Sequence, residues 1–203
     1  DAHTRRAESM IGAMAPSVVD FLKDRRKISN ELFEVDLRIL VSLGDESFII
    51  DHLPKEGVSL VPAGSEHGTL ISVVDRGMQK LALGLLSISS FSEQAHLDRN
   101  ELLFRACMEG MSELAAQLMS ISQVCEHVHE MDNRVLWAAC QMGLRDIVLS
   151  LLALSSVRDA HFKAPHDMLS FAIMRQMEDV ALQLLSVSQV SGSCHLGDNI
   201  LLV

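Results

Sequence analysis

The chain has 203 residues, 48% of them hydrophobic, and a formal net charge of -10 at pH 7. That is enough apolar material for one large or two small packed domains, and no stretch has the composition of a disordered segment. The acidic balance argues against a nucleic-acid partner, and apolar runs of only a few residues argue against membrane insertion and a signal peptide.

Residues 1–29 contain two helical patterns, "RRAESMIGAM" and "SVVDFLKDRR", which read as an N-terminal helical cap or a degenerate repeat. The charge run Asp24 to Lys27 reads as a solvated helix end. From Asn30 onward the chain repeats itself every 33 residues. Leu37, Leu70, Leu103, Leu136, Leu169 and Leu202 form one series. Leu40, Val73, Ala106, Ala139 and Ala172 form a second, and Gly44, Gly77, Gly110 and Gly143 a third that Gln176 breaks.

After each glycine position come two apolar pairs one helical turn apart, as in Leu114, Ala115, Leu118 and Met119, or Ile147, Val148, Leu151 and Leu152. Such spacing makes one apolar stripe on a helix. Across these core positions only His52 is not apolar. Each unit therefore predicts a first helix around Leu-x-x-Ala, a turn at glycine, and a second helix ending at the apolar pair. Neither helix can bury its stripe alone, so neighbouring units must stack. The units run over 30–62, 63–95, 96–128, 129–161 and 162–194, with a partial repeat over 195–203. The sequence opens on Asp1 and stops at "NILLV", inside an expected helix, so it reads as part of a longer polypeptide.

The 33-residue period, the Leu-x-x-Ala, the glycine between two helices and the Leu-Leu closing the second together resemble the ankyrin repeat over about 30–202. The resemblance implies an all-α, ankyrin-like repeat solenoid of helix-turn-helix units. It also implies a non-enzymatic, monomeric module that binds another protein through a concave face. As scaffold or recruitment arm, that module would work in the cytoplasm, or in the host cytosol if it belongs to a secreted bacterial effector. The family's Thr-Pro-Leu-His is missing. Its histidine position holds Arg38, Ile71, Phe104, Trp137 and Ser170, with Phe104 expected to pack on Trp137. The usual glycine after the second helix is replaced by Ser89, Ser122, Ser155 and Ser188, which leaves both β-hairpins and short turns open for the linkers.

Carried over by position, partner contacts fall on the residues before each glycine. These are Ser42 and Leu43, Asp75 and Arg76, Met108 and Glu109, Gln141 and Met142, and Met174 and Arg175. The opening turns add Leu97, Asp98, Asn100, Glu130, Asp132, Asn133, Lys163 and His166. The methionines suit an adaptable surface but equally suit packing between first helices, and the Asp and Asn residues suit turn formation. Trp137 is expected in the core.

Four cysteines, Cys107, Cys125, Cys140 and Cys194, show no CxxC pair and read as reduced thiols of a cytosol-like compartment. Cys107 and Cys140 occupy a small packed position, unsuited to a nucleophile. "CEHVH" (Cys125, His127, His129) and Cys194 with His195 have zinc-ligand chemistry, but His96, His129 and His195 fall one repeat apart, so they read as turn histidines bonding local backbone. No Gly-rich phosphate loop, GxSxG or HExxH occurs, and no cofactor is implied. Two other functions stay open: a substrate-recruiting or regulatory arm of a larger enzyme, and a solenoid that stacks on itself through "NILLV".

Overall fold

The computed structural model describes residues 65–162 and 164–187, together with Leu37, Val41, Gly44, 46–51 and Val190. The expected cap over 1–29, the partial repeat over 195–203, and Ser42, Leu43, His52, Lys163 and Cys194 lie outside the described residues. All regular structure among the described residues is helical. The chain forms two compact units, 1–84 and 85–203, and their boundary falls inside the repeat expected over 63–95.

The first unit contains α1 (Glu46–Asp51), α2 (Glu66–Asp75) and most of α3 (Gln79–Leu86). α2 buries Leu70, Val73 and Val74, and α3 buries Leu81 and Ala82, as the apolar series requires. The Glu46 carboxylate accepts a hydrogen bond from the Leu81 amide at 2.9 Å. That amide sits in the first turn of α3, where a helix leaves N–H groups unbonded and favours negative charge.

The second unit contains α4 (Ser89–Ser92), α5 (Leu97–Met108), α6 (Ser112–Met119), α7 (Ser122–His127), α8 (Glu130–Met142), α9 (Arg145–Ala153), α10 (Ser155–Asp159), α11 (Pro165–Met174) and α12 (Glu178–Ser186). First helices pack on first helices, α5 on α8 and α8 on α11, while second helices follow the same order, α6 on α9 and α9 on α12. Leu103, Leu136 and Leu169 with Ala106, Ala139 and Ala172 make the inner seam, all essentially buried. Leu114, Leu118, Val148, Leu151, Val180 and Leu184 bury the facing stripe. On the exposed side Arg145 meets Asp179 through both carboxylate oxygens, at 3.0 and 2.6 Å, and joins α9 to α12. This hydrogen bond from Arg145 holds the Asp179 carboxyl below its usual range.

The described first helices end the same way. Gly110 has φ +70° and Gly143 φ +75°, and their amides donate to Cys107 and Cys140 while the next amides, of Met111 and Leu144, reach back to Ala106 and Ala139. This double closure needs a left-handed residue, for which glycine carries no steric cost. Gln176 makes the same turn at φ +58°, its amide bonded to Ile173 O and the Met177 amide to Ala172 O. The sequence break at 176 is therefore a substitution inside a retained turn.

Two features differ from the sequence reading. The three described linkers are neither hairpins nor simple turns: an extended residue, Ile88, Ile121 or Leu154, leads into a short third helix, α4, α7 or α10. Each third helix buries one side chain, Phe91, Val124 or Val157, at a further 33-residue interval. The second difference lies at the openings of α5 and α8. Asp98, Arg99 and Asn100 have φ between 52 and 60°, and Met131, Asp132 and Asn133 between 55 and 58°. These are turns of left-handed backbone built from ordinary residues, a conformation costing roughly 1–2 kcal/mol per residue.

Candidate functional site

The strain at these openings is held by two buried asparagines. Asn100 Nδ2 donates to Val124 O at 2.9 Å and Asn133 Nδ2 to Val157 O at 3.0 Å, so each ties the start of a first helix to the third helix of its own repeat. Both side chains are fully buried. Asn100 and Asn133 are thus corrected from partner contacts to internal latches: an exposed turn residue would have left those buried carbonyls without their donor.

Holding the third residue inward turns the first two outward. Asp98, Met131 and Asp132 are exposed, and Met131 and Asp132 form the rim of a cleft of about 480 Å³. Its other walls are Phe104 on α5, Arg134 and Trp137 on α8, and Ala164, Asp167 and Met168 at the start of α11. Three successive repeats contribute to it. Trp137 is half-buried there rather than in the core. Its ring meets Phe171 edge-on at 5.9 Å instead of packing on Phe104.

Phe104 has a different partner. The Arg134 guanidinium lies 4.9 Å above its ring. Arg134 Nη2 donates to the carbonyls of Asp98 and Arg99 at 3.2 and 2.9 Å, and Nη1 pairs with Glu101 at 2.9 Å. Glu101 also holds Arg105, one turn along α5, at 2.8 Å. The positive charge of Arg134 is therefore engaged inside the fold, while Asp132 and Asp167 bring carboxylates to the cleft. Asp167 bonds His166 Nε2 through Oδ1 at 3.1 Å.

The residues expected before each glycine are spread along the helix ends and do not converge on the cleft. Met108, Gln141 and Met142 are half-buried, and Asp75, Arg76, Glu109, Met174 and Arg175 are exposed. Met142 extends beside Gly110, its Cε 3.9 Å from where a β-carbon would stand. Arg175 lies along Gly143 and donates to Gln141 O at 2.9 Å. The cleft residues Phe104, Met131, Arg134, Asp167 and Met168 were missed as a set because periodic reading looks for like residues at equal positions, and Arg134 and Asp167 share one position with opposite charge. The signal available was the aromatic pair, Phe104 and Trp137, at a helix position where the other repeats hold Arg38, Ile71 and Ser170.

The thiols are poor nucleophiles. Burial pushes Cys107 up to about 12, and burial together with the neighbouring Cys107 does the same to Cys140, so neither forms the reactive thiolate near neutral pH. Cys125 Sγ donates to Met119 O at 3.0 Å. Of the turn histidines, His195 lies outside the described residues, and the His96 ring stacks at 6.3 Å on His127, whose Nδ1 pairs with Glu130 at 2.8 Å. His96 Nδ1 and His129 Nδ1 are buried without a hydrogen-bond partner. Among the described residues no three His, Cys, Asp or Glu side chains gather as metal ligands, and no helix is long and apolar enough to cross a membrane. Comparison with protein-family models, with curated proteins and with solved structures returned no match.

Proposed function

We propose that this chain is an ankyrin-like repeat module that acts without catalysis, binding a partner protein along its first helices. The observation that carries this reading is the cleft between α5, α8 and α11. Its floor is apolar and aromatic, its rim is charged, and three repeats are needed to build it. Pockets of a few hundred cubic ångströms with few polar groups are where side chains of ligands are held, and rigid repeat arrays lose little conformational freedom on association. A half-buried tryptophan with exposed Met131 beside it has the character of an interface centre. The unpaired thiols Cys107, Cys125 and Cys140 agree with work in a reducing, cytoplasmic setting.

The test is to recover a protein bound to this chain and map its footprint by amide hydrogen exchange. Slowed exchange concentrated on α8 and the start of α11 supports the reading. Protection confined to α6, α9 and α12 places binding on the opposite helices and removes it.

A further inference from the structure

We propose that the cleft receives the guanidinium of an arginine on the partner protein, an inference that rests on the binding reading above. The repeat shows from within how this fold holds that group. Arg134 lies on the Phe104 ring, donates to the two left-handed carbonyls of Asp98 and Arg99, and pairs with Glu101.

Moving each partner forward by 33 residues reaches the walls of the cleft. Trp137 stands for Phe104, Met131 and Asp132 stand for Asp98 and Arg99 in the same left-handed turn, and Asp167 stands for Arg134. The aromatic face and the turn recur, but the cation that covers them one repeat earlier is replaced by a shorter acid. That exchange leaves an open space and reverses the charge beside it. The counterpart of Glu101 is Arg134, whose charge Glu101 already engages, so Asp132 and Asp167 supply the carboxylates for an incoming cation. An indole attracts a cation more strongly than a phenyl ring. A planar, weakly hydrated guanidinium with its fork of donors matches a ring face flanked by carbonyls and carboxylates better than an ammonium does.

Random dodecapeptides displayed on phage are selected against this chain, and the enriched ones are titrated by the fluorescence of Trp137, the sole tryptophan. The expected result is a shared arginine, with replacement by lysine in the peptide weakening binding by about tenfold. Asp167→Arg should abolish binding by filling the cleft from inside, as Arg134 does one repeat earlier, with the circular dichroism unchanged. Asp132→Asn, which suits the left-handed backbone, should weaken binding severalfold and keeps the test open if Asp167→Arg disturbs the fold. Enriched peptides that quench Trp137 without arginine overturn the guanidinium assignment and leave the binding reading standing. Peptides held equally by Asp167→Arg overturn the assignment to this cleft, and a selection that enriches nothing overturns both readings.

Discussion

The first helices of 96–128 and 129–161 open on three left-handed residues, whereas the first helix of 162–194 opens on Pro165. The former are held by a buried asparagine bonded to the third helix, and the latter has His166 in the asparagine position. Proline at the first helical position presets the backbone angle without strain, so the last repeat needs no latch. The same two sets differ at two more places. Gly110 and Gly143 give way to Gln176, and the buried Cys107 and Cys140 to Ile173 at 48% exposure. Left-handed openings are thus retained where a buried bond opposes their strain, and the cleft opens where the two kinds of repeat meet.

The widest separation between the two kinds should appear in alkali. The unfolded chain ionises these thiols near the usual 9.0, while the folded chain keeps Cys107 and Cys140 protonated up to about 12. Stability from this source is full below 9 and falls as pH rises toward 12, by about 1.4 kcal/mol per pH unit for each thiol. Urea midpoints measured across that window should fall steeply for the parent and less for Cys107→Ala with Cys140→Ala, each compared with its own value at pH 8. An equal fall would show that the buried thiols do not set it.

Asn133→Ala should come next, at about 3 kcal/mol, because it strands the buried Val157 carbonyl and leaves alanine in a left-handed turn. His166→Ala, at the same position of the proline-started repeat, should cost less than about 0.5 kcal/mol. Equal losses would dissolve the distinction between latched and proline-started helices. Gly143→Ala should cost about 1–2 kcal/mol, since alanine would be held at φ +75°. Gly110→Ala, whose nearest neighbour is the flexible Met142 terminus at 3.9 Å, should cost about 1 kcal/mol. A gain of similar size to these losses is expected in the last repeat: Gln176→Gly relieves a positive φ and should raise stability by about 0.5–1 kcal/mol, read as a higher urea midpoint.

The stacked helix pairs were legible because burial of a stripe forces apolar residues to recur at helical spacing, and Leu103, Leu136 and Leu169 do so in one register. The third helices were not read, although Phe91, Val124, Val157 and Val190 keep the same interval. One buried side chain per short helix makes no stripe, and nothing at that length separates helix from turn. Left-handed openings leave less trace still. Asn100 and Asn133 fit an exposed turn equally well, and only the carbonyls of Val124 and Val157, 24 residues away, turn them inward. The cleft was illegible for a further reason: it depends on how Phe104, Arg134 and Trp137 differ from their counterparts, and a search for sameness discards those differences.

The latch, the turn closure and the third helix all bond within a single 33-residue unit. The unit 129–161 is therefore a cassette, and an in-frame second copy of it would meet its neighbours through surfaces already in use, as nearest-neighbour repeat arrays permit. In such a chain the Arg134 of the second copy would settle on the Trp137 of the first. The recess would close between the copies and reopen one layer further along, carried there by duplication alone.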